Sequence, residues 1–423
     1  MTRLALAVLA AAIAGCAAPA GPGADGKPSA PAAGPRFDAG GPNADAYGAR
    51  EGYPWKSIYR LKYFVAGFTS ADEHFEGRVV RRAVSPSALG RPSAEPDPRY
   101  EYDGTTLTLD DYLARNPVTG LIVARGETLV VERYQYARTD RHRFASFSMA
   151  KTVTAMLVGV ALAEGRIRSV DDPAATYVPE LTGTEYGSTS LRHLLEMSSG
   201  VRFIEDYSGR DDAARLGADT VHQVGPGGAA SVKPYNERLW SAGFKFAYAS
   251  AETQVLGLVL RGATDRSVAE YLQDKIWQPM GAEADATWLV DGAGQEATFC
   301  CLNAVLRDFA RLGLLLAHDG RRGERQIIPR EWLVAATTVA PYRWHLKPYA
   351  ATRFFGYGYQ TWIFPGERRM FALRGLHGQV MFVDPTSSLA MVQTAVSPDP
   401  VDQLPEALAL WRAMVQSLGN ATE

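Results

Sequence analysis

Phe144-Ala145-Ser146-Phe147-Ser148-Met149-Ala150-Lys151 opens a segment in which Met149, Val153, Met156, Leu157 and Val160 recur at helical spacing. The pattern predicts a helix over residues 148–164 with one buried face, closed by Gly165 as its C-terminal cap. On such a helix Ser148 and Lys151 share a face, with Cβ atoms about 5–6 Å apart. The serine falls in the first turn, where backbone N–H groups lack helical acceptors. A hydroxyl is a poor nucleophile until a neighbour takes its proton, and a lysine does so only when burial or a nearby cation lowers its pKa. Ordinary residue usage places a serine three residues before a lysine about once in a chain of this size. Here no other lysine has one.

Toward the N-terminus, Leu121-Ile122-Val123 and Leu129-Val130-Val131 flank Arg125-Gly126-Glu127, a β-hairpin signal. Toward the C-terminus, helices fit residues 191–197, 251–261, 267–277, 305–317 and 404–418, and strand-like runs occupy 358–363, 370–373, 379–383 and 389–394. This order predicts an α/β (α+β) fold. One antiparallel sheet is assembled from both chain ends and flanked by helices, with a helical region inserted over about 150–290. Residues 51–106 read as an extension wrapping a main domain at 107–423.

Of the 423 residues 46% are hydrophobic, ample for a packed core, and 44 basic against 46 acidic side chains leave a net charge of −2. These numbers exclude pervasive disorder and argue against a nucleic-acid partner, which would show a basic stripe. Met1-Thr2-Arg3, the apolar run 4–14 and Ile13-Ala14-Gly15-Cys16 resemble a bacterial lipoprotein signal. Residues 1–15 would be removed and Cys16 lipidated; the alternative is an ordinary secretory signal cut near Ala17-Ala18. Residues 16–50, rich in Ala, Gly and Pro, read as a flexible tether. The expected location is the bacterial cell envelope, periplasmic or extracytoplasmic, with a lipid anchor in a membrane. Cys300 and Cys301 are adjacent, which argues against an unstrained bridge, so they are expected to be buried small hydrophobic residues. Neither these cysteines nor the scattered histidines have metal-ligand spacing, and neither metal nor cofactor is expected.

Two further segments carry chemistry. Tyr248-Ala249-Ser250 precedes the helix expected at 251–261, where Ser250 suits the N-cap. Tyr248 is either a buried aromatic or a phenol converging on Ser148 and Lys151 to pass a proton. Gly375-Leu376-His377-Gly378-Gln379 leads into Val380-Met381-Phe382-Val383. Glycines at a strand start let a substrate backbone approach, and a backbone N–H there would pair with that of Ser148 as an oxyanion site.

Taken in series with Leu191-Arg192-His193-Leu194-Leu195-Glu196-Met197-Ser198-Ser199-Gly200, Phe246-Ala247-Tyr248-Ala249-Ser250 and Leu302-Asn303-Ala304-Val305-Leu306-Arg307-Asp308-Phe309-Ala310-Arg311-Leu312-Gly313, the opening stretch resembles the serine β-lactamase and penicillin-binding-protein superfamily. The likeness is to its class C-like branch, and within it to the 6-aminohexanoate-dimer (nylon-oligomer) hydrolase-like and esterase members. It implies a β-lactamase/transpeptidase-like fold with Ser148 as nucleophile, Lys151 as proton acceptor and Tyr248 as proton relay. It also implies oxyanion or substrate-binding roles for Gln379, Gly378, His377 and Ser250, and a place near the site for Tyr207 of Glu205-Asp206-Tyr207. An acidic rim there would suit an amine-bearing substrate. Tyr359 and Trp362 are expected to pack the sheet.

Two positions depart from the family pattern. Ser250 stands where many relatives carry asparagine, and Leu376-His377-Gly378 stands where β-lactamases and transpeptidases have Lys-Thr-Gly. The missing lysine weakens binding of β-lactams and D-Ala-D-Ala ends by about 1.5–3 kcal/mol, the value of a charge-assisted contact. The expected activity is therefore cleavage of a small-molecule amide or ester through an acyl-enzyme. A D,D-peptidase or β-lactamase, and a catalytically silent envelope binding protein, stand as alternatives. The lack of a Gly-x-Ser-x-Gly elbow argues against an α/β-hydrolase.

Overall fold

Early and late segments of the chain meet at one strand. In the computed structural model, which describes residues 33–48, 60–401 and 404–419, Leu389–Ala395 is buried at every position. It pairs antiparallel with Val118–Arg125 on one side, Val392 opposite Ile122, and with Val380–Asp384 on the other, Val392 opposite Met381. Buried on both faces, a central strand reads as a near-continuous apolar run. The polar exceptions Gln393 and Thr394 find partners in Tyr112 and Thr119.

Among the described residues the sheet has eight strands in the spatial order Arg36–Phe37, Thr128–Tyr134, Val118–Arg125, Leu389–Ala395, Val380–Asp384, Phe371–Arg374, Trp362–Ile363 and Gly356–Tyr357. Every pairing is antiparallel except the first, where Arg36–Phe37 runs parallel to Arg133 and Tyr134. That strand lies within the stretch expected to be a tether, as does Tyr47, which is buried edge-on against Tyr136. The signal at 1–15, Cys16 and the rest of the tether up to residue 32 lie outside the described residues. The expected strand at 358–363 is broken, because Gln360 adopts a φ of 53° and turns the chain between two short strands.

Helix Leu306–Ala317 covers one face of the sheet, and Leu109–Arg115 with Pro405–Leu418 covers the other through Leu410, Trp411 and Met414. Helix Met149–Ala163 is buried continuously from Met149 to Ala161, so it is a core helix on all sides rather than one with a single buried face. It packs against Ser250–Thr264. A Cβ at Gly159 would lie 2.1 Å from Cδ1 of Trp332, so only glycine lets the indole lie across the helix and donate to the Ala155 carbonyl at 3.0 Å. Gly165 follows the helix at φ 69°, the left-handed closing residue.

A second sheet, which no pattern in the sequence announces, orders Gly77–Val80, Ala286–Leu289, Leu302–Val305 and Arg143–Ala145. Its strands are three or four residues long and come from distant segments, so no local alternation marks them. It sets the chain entering Ser148 beside the chain leaving Cys301. Ser146 N–H donates to the Leu302 carbonyl at 2.8 Å, and Leu302 N–H returns to the Ser146 hydroxyl at 3.2 Å.

Candidate active site

Phe147 takes a φ of 43°, uncommon for a residue with a side chain, and turns the chain so that Ser148 heads helix Met149–Ala163. A serine in that position ordinarily spends its hydroxyl on a backbone N–H of the first turn. Ser148 does not. The Lys151 backbone N–H donates to the Ser148 carbonyl at 3.1 Å, and the Ser148 hydroxyl receives the Lys151 side-chain amine at 2.8 Å. The amine also donates to the Phe299 carbonyl at 3.0 Å. Lys151 is 1% exposed. Burial lowers its pKa from 10.5 to about 8, while the nearby Glu205 carboxylate opposes the shift. An amine in that range offers its lone pair near neutral pH.

Tyr248 arrives from the loop before helix Ser250–Thr264. Its hydroxyl comes close enough to Ser148 to feel its polarity, and its ring centre lies 4.9 Å from the Lys151 amine. The ring stacks on Trp362 at 5.5 Å and meets Tyr357 edge-on at 6.2 Å. Burial holds the phenol well above its ordinary pKa and Glu205 adds to that, while the neighbouring Ser148 hydroxyl and the Arg374 charge oppose it. The group is a protonated phenol at neutral pH. A half-buried hydroxyl bonded to a buried, lowered-pKa amine thus lies beside a phenol, the arrangement an activated serine requires.

The beta-lactamase family model matches residues 105–413 of this chain. The chain belongs to that family. A 6-aminohexanoate-dimer hydrolase of Paenarthrobacter ureafaciens is 29% identical over 322 residues, 73% of this chain and 80% of the relative. A solved Bacillus anthracis structure provisionally named 6-aminohexanoate-dimer hydrolase superposes with a TM-score of 0.75 at 22% identity, covering 89% of this chain and 98% of that one. EstCE1, described as a hydrolase with promiscuous acyltransferase activity, gives 0.54 at 15% identity over 67% and 89% of the two chains. The sheet and helices described above are those of the beta-lactamase/transpeptidase-like fold.

In this family member the segment Gly375–Gln379 is a tight turn rather than an open edge. The Gln379 N–H points to the Leu376 carbonyl at 3.4 Å, at the limit of a hydrogen bond. Its side chain is buried and braces the neighbouring strand, donating to the Ala395 carbonyl at 2.8 Å and accepting from the Ala395 N–H at 2.9 Å. Gly378 has a φ of 89°, which only glycine takes without strain. His377 Nδ1 donates to the Ser397 carbonyl at 2.8 Å, and the ring lies among Phe64, Phe68 and Phe147 at 4.9, 5.0 and 5.7 Å. Burial lowers its pKa, so His377 supplies no charge at neutral pH in the segment where the Lys-Thr-Gly lysine would.

Ser250 is the first residue of its helix and not its cap, which is Ala249. Both its N–H and its hydroxyl donate to Glu205, at 2.7 and 2.8 Å, and Tyr207 donates to the same carboxylate at 2.9 Å. Glu205, expected only as part of an acidic rim, is therefore the hub tying Tyr207 and Ser250 together, a role that a run of acids in the sequence does not reveal. Trp362, expected to pack the sheet, does so while supporting the Tyr248 ring; Tyr359 packs on Trp332.

A cavity of about 520 Å³ opens in front of Ser148. Glu205, Tyr207 and Ser250 form one wall, Leu376 and His377 another, and Phe299, Cys300 and Cys301 a third. The two cysteines are not the separate small hydrophobic residues expected of them: they form a disulfide with each other. Cys301 reaches it by adopting φ 70°, with its carbonyl accepting from Leu289 N–H at 3.1 Å and that of Cys300 accepting from the Trp288 indole at 2.8 Å. Spacing alone does not reveal such a turn. Among the described residues no cluster of His, Cys, Asp or Glu side chains has the makings of a metal site.

Proposed function

We propose that this chain is a serine hydrolase that cleaves a small-molecule amide or ester through an acyl-enzyme, in the manner of 6-aminohexanoate-dimer hydrolases and esterases of its family. One observation carries the reading: the buried Lys151 amine, its pKa lowered to about 8, is bonded to a Ser148 hydroxyl left free of helix capping. As the Ser148 oxygen attacks the substrate carbonyl carbon, its proton passes to the Lys151 lone pair. The carbonyl oxygen takes up the negative charge beside the Ser148 and Gln379 N–H groups, the latter released from its long contact to Leu376. Tyr248 gives its proton to the departing nitrogen or oxygen and is reprotonated through Lys151. Water then releases the acid by the reverse path.

The apolar walls and the Glu205 carboxylate suit an acyl or amine chain of methylene groups ending in an ammonium. The uncharged His377 and the apolar Leu376 place carboxylate-bearing β-lactams second. Lipidation at Cys16 would hold the enzyme at a membrane surface. The Cys300–Cys301 bridge supports an extracytoplasmic setting, since disulfides persist in oxidising compartments. Among the described residues no helix is long and apolar enough to cross a membrane.

A fluorophosphonate probe tests the assignment. Wild type is expected to label and Ser148→Ala is not; equal labelling removes Ser148 as the nucleophile. Turnover of a short nitrophenyl ester, an ω-amino-acid amide dimer and a chromogenic cephalosporin then ranks the substrates. Cleavage of the cephalosporin alone would put β-lactams first instead.

A further inference from the structure

The hydrolytic steps above make no use of the two adjacent cysteines, yet their place is specific. The Phe299 carbonyl that receives the Lys151 amine immediately precedes Cys300, and both cysteines face the cavity that holds Ser148. Cys300 is 9% exposed and Cys301 is half-buried at the cavity wall, so a small solute entering the pocket reaches the bridge. The carbonyls of Cys300 and Cys301 are tied to Trp288 and Leu289, which anchors the far side of the turn. The near side is held by the side-chain bridge, and Cys301 stays at φ 70°, a conformation that L residues leave when nothing holds them there.

We propose that the Cys300–Cys301 disulfide is a redox-sensitive positioning element that keeps the Phe299 carbonyl on Lys151 and keeps water from the amine. The proposal rests on Lys151 acting as the base. An external dithiol opens the bridge: two electrons and two protons pass to the sulfurs, giving two thiols, and the reductant leaves as its own cyclic disulfide. With the bridge open, Cys301 relaxes to negative φ, the Phe299 carbonyl withdraws and water reaches Lys151. Burial is the main cause of the lowered pKa of this lysine, so hydration returns it toward its ordinary value. Below that pKa each unit of rise leaves tenfold less neutral amine, and the enzyme slows in proportion.

The experiment uses the full chain and measures the pH profile of ester turnover before and after dithiothreitol, with a thiol count alongside. Reduction is expected to yield two further thiols per chain. The acid limb of kcat/KM should move up by about one unit, with turnover at neutral pH about tenfold lower and KM within about twofold. Reoxidation restores the original profile. The double variant Cys300→Ala/Cys301→Ala is expected to show the shifted profile without reductant and no response to it. Two new thiols with an unmoved acid limb overturn the proposal, as does a folded double variant with the wild-type profile. Should that variant fail to fold, the reduced native enzyme decides alone. Failure of the base assignment itself reads differently: Lys151→Met would then retain turnover in the oxidised protein.

Discussion

The Tyr248 phenol ring lies stacked on the Trp362 indole, centroids 5.5 Å apart and planes 25° from parallel. Tyr248 stands in a loop and Trp362 on a strand near the edge of the large sheet, so the indole transmits the position of the sheet to a group beside Ser148. An aromatic pair of this kind contributes about 0.5–1.5 kcal/mol beyond its buried area. Trp362→Ala is expected to lower kcat about tenfold with little loss of thermal stability, and Trp362→Phe to recover most of it. Steady-state kinetics beside a melting curve checks this, and an unchanged kcat in the alanine variant would sever the link.

Lys151 predicts a conflict between stability and activity. Its folded pKa of about 8 lies below its ordinary 10.5, so between those values the unfolded chain binds more protons than the folded one. The cost of the buried amine is therefore fully present below about pH 8 and fades as pH rises toward 10.5. A shift of this size corresponds to about 3 kcal/mol, an order-of-magnitude figure. Lys151→Met should accordingly raise urea-unfolding stability at neutral pH by a few kcal/mol, lose that advantage in alkali, and reduce ester turnover by about a thousandfold.

Glu205 raises the pKa of Lys151, so removing its charge should lower it. In Glu205→Gln the amide oxygen still accepts the Ser250 N–H, while the hydroxyls of Ser250 and Tyr207 reverse to accept from the amide nitrogen. The acid limb of ester turnover is expected to move below about pH 8, toward acid. An amine-bearing substrate should meanwhile show KM raised about tenfold, the worth of one charge-assisted contact. A limb that moves toward alkali would contradict the electrostatic role of this carboxylate.

Leu376 lines the cavity in the segment where relatives carry the Lys-Thr-Gly lysine. Leu376→Lys supplies a cation there, and acylation by a cephalosporin should improve about tenfold or more. Stopped-flow acylation kinetics measures it. No gain would mean that the wall around Leu376, not its charge, rejects such substrates.

How much of this was legible in the chain depends on the range over which each feature is specified. The hairpin over Val118–Arg125 and Thr128–Tyr134, and the helices Met149–Ala163 and Leu306–Ala317, follow from apolar spacing within one segment, so their pattern announces them. Ser148 and Lys151 were legible for the same reason, since three residues of helix bring them together. The small sheet that joins Arg143–Ala145 to Leu302–Val305 has no such local code. Glu205 reads as one acid of a rim near the site, and its hub role shows only when Ser250 and Tyr207 close around it; the Cys300–Cys301 bridge depends on one backbone angle that composition does not disclose.

The helix headed by Ser148 is encased on every side, while most of the cavity walls come from loops and turns at 205–211, 221–222, 299–301 and 376–377, joined by the short helix Asp212–Thr220. With Ser148 as the proposed nucleophile, reactive centre and specificity would be carried by separable parts of the molecule. Exchange of those loops between homologues offers a route to new selectivity on an unaltered chassis, and natural variation among relatives is free to run along the same division.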